Sequence, residues 1–393
     1  MPHSWPVSTP SRQGKWNIRL AAVLLVLLGI AAREIALEHR PSFLRPGLHL
    51  FAYVSNTSDG TLTAINLVTL RAEATIPVGP SPSGIRANPR RDEIWGVSTS
   101  GGYAWVLDAR LGRVVARIST GAQPYAIDFS PDGSHAYVAS SGSGTVSEID
   151  CASRMVVAQA HVGREPWIAR VTPDGRLVVV SNRGDSTVSM LKSGTLASMA
   201  TVHVASEPEQ ILILPDSSKA YVSSGDSNQI SVVNLHKPSL LANLQVGGTP
   251  ASFALKHDAS ELYIPSPDAH GLIVVSTWTN NVSDYLMLGL SPDDGVISPD
   301  GRVLYVSDPG ASQIVPVDLT LRQALRPIDT GRQPEDMAFA PLGDTLLAVN
   351  GGSDALAVIR TQGCSQASGS PDGCLIAMVP VGHKPQGLAI KQF

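Results

Sequence analysis

The stretch TGAQPYAIDFSPDGSHAYVASSGSGTVSEID, residues 120–150, carries three signals at fixed offsets: a Gly-x-x-Pro turn at Gly121 to Pro124, a Pro-Asp-Gly turn at Pro131 to Gly133, and an apolar strand from Ala136 to Ser140. The apolar runs between the turns are about the 5 to 6 residues usual for a strand and too short for helices. The same module returns along the chain. Its Gly-x-x-Pro proline recurs at Pro82, Pro124, Pro166, Pro208, Pro250, Pro292, Pro334 and Pro385, with six consecutive spacings of 42 residues and a last one of 51. Tyr53, Trp95, Tyr137, Val179, Tyr221, Tyr263, Tyr305 and Leu347 keep the spacing of 42 independently. Three residues beyond each stands a small polar side chain: Asn56, Ser98, Ser140, Asn182, Ser224, Ser266, Asp308 and Asn350. Such side chains hydrogen-bond local backbone where a strand turns.

Each repeat therefore offers four strands: one after Gly-x-x-Pro, one carrying the aromatic, and two more such as 145–150 and 155–162. A four-stranded meander that is apolar on both faces is not stable alone. It must stack against a neighbour on each side, and stacking around an axis gives an all-β propeller of four-stranded blades. Eight aromatic strands and eight Gly-x-x-Pro strands predict eight blades, with seven as the alternative if one terminal copy lies outside the ring. The chain enters at a second strand and leaves after a first strand, so its N- and C-terminal strands are expected to share the closing blade and remove an exposed edge.

Composition agrees with an all-β chain. Of 393 residues only 16% are charged, the net charge is −4, and 35 Gly with 29 Pro supply the turns. No basic stripe or like-charge run is present, which argues against nucleic acid as a partner. The first residues differ in kind. Arg12, Lys15 and Arg19 precede an apolar run at 20–32 that is followed by Arg33 and Glu34. As a helix those residues would rise only about 20 Å, short of a bilayer core of about 30 Å. Residues 1–34 are read as a signal peptide or, alternatively, a signal anchor; 35–49 as a linker; and 50–393 as a single propeller domain. The expected location is exported, periplasmic or cell-surface, with any membrane tether confined to 20–32.

Tyr53-Val54-Ser55-Asn56, Tyr137-Val138-Ala139-Ser140, Tyr221-Val222-Ser223-Ser224 and Tyr305-Val306-Ser307-Asp308 resemble the motif of the YVTN-repeat β-propeller family, over residues 50 to 393. The resemblance implies an exported or surface-layer-like propeller, with relatives among dehydrogenase subunits, haem-binding reductase domains and lactonases. Most members have seven repeats, so eight is a departure.

Chemistry is expected where the residues following each Gly-x-x-Pro proline ring the channel mouth. They read Ser83, Tyr125, Trp167, Glu209, Ala251, Asp293, Glu335 and Gln386. One arc is aromatic and the later one acidic, reinforced by Glu207, Asp294 and Asp336. If they converge, Tyr125, Trp167, Glu209, Asp293, Asp294, Glu335 and Asp336 would suit a cationic or sugar-like ligand, or Ca²⁺ as a hard cation. The alternative is a set of solvated loop residues around a water-filled channel. His383, in the last Gly-x-x-Pro loop, is a further candidate at the mouth. His161 and His203 share a phase at the outer strand and read as surface residues. The three cysteines form no haem-attachment or metal pair; Cys364 and Cys374 flank a Gly- and Ser-rich expansion and are expected to form a disulfide, leaving Cys151 as a small turn residue. Arg183-Gly184-Asp185 matches an adhesion motif, but falls in a turn that favours such residues by composition. No Walker loop, His-Glu-x-x-His, Gly-x-Ser-x-Gly or dinucleotide fingerprint is present. Two functional readings follow: a non-catalytic binding or scaffolding propeller for a protein or envelope component, with no cofactor, or an enzyme or enzyme subunit with its site at the channel mouth.

Overall fold

The computed structural model describes residues 49–341, 343–362 and 374–393. The expected leader, nearly all of the linker and Cys364 lie outside the described residues. The strands form eight sheets, each an antiparallel meander with its first strand at one edge. Blade 1 joins Leu50–Asn56, Thr61–Asn66 and Arg71–Pro77 to the last strand, Pro385–Gln392, which supplies its first strand. Blades 2 to 8 follow at 82–119, 124–161, 166–203, 208–245, 254–287, 295–329 and 334–380. The eight-blade count and the shared closing blade are thus as the repeats require.

The core lies between blades. Each buried apolar cluster draws its members from two successive blades: Trp95 and Val97 of blade 2 pack with Ile127 and Val138 of blade 3, and so on around the ring. The cycle closes where Leu50 and Val54 of blade 1 pack with Leu347 and Leu356 of blade 8. The recurring tyrosines show why the spacing of 42 is kept. Each ring is fully buried, and in three of them the hydroxyl reaches the turn after the third strand of the next blade, 56 residues on: Tyr53 Oη donates to Ala109 O (3.3 Å), Tyr137 Oη pairs with Ser193 Oγ (2.7 Å), and Tyr221 Oη donates to Thr277 O (3.4 Å), whereas Tyr263 Oη donates to Glu261 Oε2 of its own strand (2.8 Å). Trp95 and Cys151 fill the same two positions without that bond. Cys151 is a buried free thiol, pushed up to about 12 by burial, while Cys374 is disulfide-bonded.

The small polar residues after each aromatic anchor the end of the second strand, either to the third strand or to the loop before the first. Asn182 Nδ2 donates to Thr187 Oγ1 and Ser189 Oγ (3.0 and 2.9 Å), and Ser140 Oγ donates to Thr120 O (3.0 Å). Blade 7 is the least regular. Its fourth strand is split into Gln323–Ala324 and Ile328–Asp329, because Pro327 in that strand and Pro316 in the third each lack the N–H that a ladder needs.

The aspartates of the Pro-Asp-Gly turns, and their counterparts Asp216 (Pro215-Asp216-Ser217) and Asp258 (His257-Asp258-Ala259), close tight turns. Asp132 Oδ1 accepts from Ser130 Oγ (2.6 Å) and Ser134 N (3.1 Å), and Asp258 Oδ1 accepts from Ser260 Oγ (2.6 Å). The Ser130 bond, then those of Ser134, hold Asp132 down at about 2; Asp216, Asp258 and Asp300 are lowered chiefly by Ser218, Ser260 and Ser298. A carboxylate with a depressed folded pKa adds stability that is full above its unfolded value and is lost as pH falls through the folded one. The urea midpoint should therefore fall between about pH 4 and pH 2, and Asp132→Asn should flatten that slope; an unchanged slope would refute this role. Tyr221→Phe should cost about 1 kcal/mol and Tyr221→Ala about 3–5 kcal/mol in the same assay, if the hydroxyl and ring hold blade 5 to blade 6.

Candidate functional site

The first strands surround the axis, and a local backbone device aims their side chains. In six copies the residue before the proline adopts a left-handed conformation: Ser81, Gln123, Glu165, Glu207, Gln333 and Lys384, with φ between 46° and 53°. In these six the pairing with the second strand shifts register directly after the proline or, in blade 2, one residue later, after Ser83. Such a bulge re-aims side chains at a rim. In blades 6 and 7, where Thr249 and Ser291 lack the left-handed turn, the first strand shrinks to Ala254–Leu255 and Gly295–Ile297. At Gly84 (φ 55°) blades 2 and 3 approach so closely that a Cβ would stand 2.7 Å from Ala126 Cα. Only glycine combines that φ with that approach.

Two cavities lie on the axis. The mouth cavity, about 640 Å³, is lined on the Gly-x-x-Pro side by Ser83, Tyr125, Asp293, Glu335 and Gln386; the other, about 610 Å³, by Asp128, Leu212 and Val296. Both touch Arg86, Arg170, Gln210, Ser252, Asp294 and Asp336, which form a charged waist.

Of the residues expected at the mouth, Tyr125, Asp293, Asp294, Glu335 and Asp336 meet in one cavity. Trp167 and Glu209 do not line it. Trp167 stacks on Tyr125 (centroids 3.8 Å apart, rings at 25°), and the Arg183 guanidinium covers Trp167 at 5.2 Å while pairing with Glu207 (2.7 Å) and Glu209 (3.3 Å). This arc is a self-satisfied wall. It also uses up the adhesion-like tripeptide, since Arg183 is held there and Asp185 accepts from the Arg164 amide (2.9 Å) and Thr187 Oγ1 (2.7 Å). His383 is three-quarters exposed, outside the cavity, and its Nδ1 lies 2.8 Å from Asp354 Oδ2; that bond raises its pKa.

The waist residues Arg86, Asp128, Arg170, Gln210 and Ser252 are not readable from the mouth ring alone. Arg86, Asp128 and Arg170 stand 42 residues apart, at a position that is apolar in the other five copies (Leu212, Ala254, Val296, Ala338 and Ala389). Charge at that offset was the available signal. Asp128 Oδ1 sits 3.8 Å from Arg86 Nε and 3.9 Å from Arg170 Nη1, and its other oxygen accepts the Val171 amide (3.1 Å). Burial first, then the neighbouring Arg86 charge, brings Arg170 down to about 10. Across the channel burial pushes Asp294 up to about 6, against the pull of the Gly295 amide. Asp336, buried and next to the Asp294 charge, rises to about 7 while accepting the Leu388 amide at 2.8 Å. Burial also raises Asp293 and Glu335, the latter helped by the Asp293 charge. Among the described residues no group of three or more His, Cys, Asp or Glu side chains is placed to hold a metal ion.

A family model described as "Choice-of-anchor I domain" matches residues 103–260, from the third strand of blade 2 into blade 6. No curated protein matches. Solved structures give the whole-fold likeness. A structure titled "Dihydro-heme d1 dehydrogenase NirN in complex with DHE" is 16% identical, with a TM-score of 0.73 over 90% of this chain and 78% of that one. "Kuenenia stuttgartiensis Hydrazine Synthase" is 18% identical, with a TM-score of 0.56 over 72% of this chain and 96% of that one. At such identities the likeness is one of fold alone.

A carboxyl with a raised folded pKa favours folding while protonated. Its contribution is full below the unfolded value, about 3.9, and is lost as pH rises through the folded one, here about 6 for Asp294 and about 7 for Asp336. Asp294→Asn with Asp336→Asn should therefore raise the melting temperature at pH 8 by about 2–5 °C and leave it nearly unchanged at pH 4. Equal shifts at both values would contradict the burial of these groups.

Proposed function

We propose that this chain is an exported, non-catalytic binding propeller that holds a positively charged group of a protein, envelope component or small molecule against the acidic wall of its channel. The observation that carries this reading is the set of carboxylates in the mouth cavity: Asp293, Asp294, Glu335 and Asp336 converge from two successive blades with raised pKa values. Asp336 feels the Arg86 charge, which lowers its pKa against the effect of burial and of Asp294, and a bound cation would add to that positive charge. Loops on a rigid ring are a usual place for such sites. Export is supported by the leader pattern and by the choice-of-anchor match, and the repeat motif supports kinship with YVTN-repeat propellers.

The enzyme reading has one observation in its favour. The Ser252 hydroxyl is buried without a well-formed hydrogen bond and lies close enough to Asp294 to affect its titration. A carboxyl near pH 6 can serve as a general base at neutral pH. Ser252→Ala separates the two readings, because it removes any nucleophile and leaves the acidic wall intact.

Calorimetric titration with butylammonium tests the binding reading. Affinity should rise at least about tenfold from pH 5 to pH 8 as Asp294 and Asp336 ionise, and should vanish in the Asp294→Asn, Asp336→Asn variant. Binding that is independent of pH and of both substitutions would reject it.

A further inference from the structure

The two walls of the waist are opposite in charge, and each is incomplete. The first strands run around the ring in blade order, so Arg170 in blade 4 lies four blades, half a turn, from Asp336 in blade 8. Asp128 in blade 3 lies likewise opposite Asp294 in blade 7. On the basic wall two guanidinium groups share one carboxylate, at 3.8 and 3.9 Å, and one oxygen of that carboxylate is spent on the Val171 amide. Neither Arg86 nor Arg170 donates a side-chain hydrogen bond to any described residue, although the Arg170 side chain is only 22% exposed. A guanidinium presents five donors in a planar fork suited to a carboxylate. The acidic wall carries two carboxylates with no cation in hydrogen-bond contact. Both walls face the same two cavities, which supply the room between them.

We propose that the waist of the channel binds a small zwitterion of the amino-carboxylate class, its carboxylate on Arg86 and Arg170 and its ammonium on Asp294 and Asp336. This rests on the cation-binding reading above and adds the anionic half of the ligand. Such a molecule satisfies both walls with no net change in charge. A simple amine satisfies one and leaves the guanidinium forks unbonded; a simple carboxylate does the reverse and meets the like charge of the acidic wall. The site therefore discriminates by requiring two charges at a fixed separation, a form of specificity in which the wrong ligand leaves buried polar groups unpaired.

The test titrates the full chain at pH 8 with glycine, 4-aminobutyrate and 6-aminohexanoate, and with butylammonium, hexylammonium, butyrate and hexanoate. At one chain length the amino acid should bind at least about tenfold more tightly than the amine or acid matching it. In an Arg86→Gln, Arg170→Gln variant the amino acid should weaken to the level of the amine, while amine affinity holds. If amines and amino acids bind alike, the zwitterion site is refuted and the cation reading survives. If no compound in the series binds, both fall. If the double variant loses its native circular dichroism, the comparison of ligands on the unaltered chain still decides.

Discussion

No blade of this protein has a core of its own. Each sheet is one residue thick and apolar on both faces, so its side chains leave water only when a second sheet lies against each face. All eight buried clusters are shared between neighbours, and the last joins the two ends of the chain. From this constraint the rest follows. The aromatic of the second strand must arrive at the same height in every blade, which fixes the period. Its hydroxyl or ring must meet the turn of the next blade, which explains the polar partners of Tyr53, Tyr137 and Tyr221 and the apolar pairing of Trp95 with Cys151.

Packing between blades also leaves the axis unfilled. Eight first strands cannot close their side chains over the centre as the stacked side-chain layers of a small barrel do, so residues there answer to water and to whatever enters. In six blades the bulge at the start of the first strand re-aims side chains toward that space. A framework of this kind separates the residues that repeat from those that vary. Pro124, Tyr137 and Ser140 serve the ring; Arg86, Asp128, Arg170, Asp294 and Asp336 do not, and their charges in an interior position call for a partner.

The fold was legible because every landmark was a local turn or strand signal multiplied eightfold, and register errors in one copy are corrected by the next. The acidic half of the mouth was legible for the same reason: Asp293, Asp294, Glu335 and Asp336 follow a recognisable turn. The basic side of the waist was not, since Arg86, Asp128 and Arg170 lie near the end of a strand where alternation alone decides whether a side chain faces the channel. Nor was the fate of Trp167 and Glu209. Their partner, Arg183, projects from the loop after the second strand, at a position held elsewhere by Ser141, Gly225 and Gly351. Contacts between loops of different strands have no period to betray them.

The inner strand of blade 1 is made last. Ser55 and Gly387, which share hydrogen bonds across it, are 332 residues apart in sequence. Until Pro385–Gln392 docks, three strands of blade 1 wait with an open inner edge, and the contacts of blade 1 with both its neighbours stay incomplete. Joining such distant segments carries the largest loop-closure entropy in the chain and belongs late in folding. For a chain that emerges from its N-terminus onward, completion of the ring waits on its most distant strand: the channel and the charged waist inside it come into being only once Pro385–Gln392 has been made and has docked.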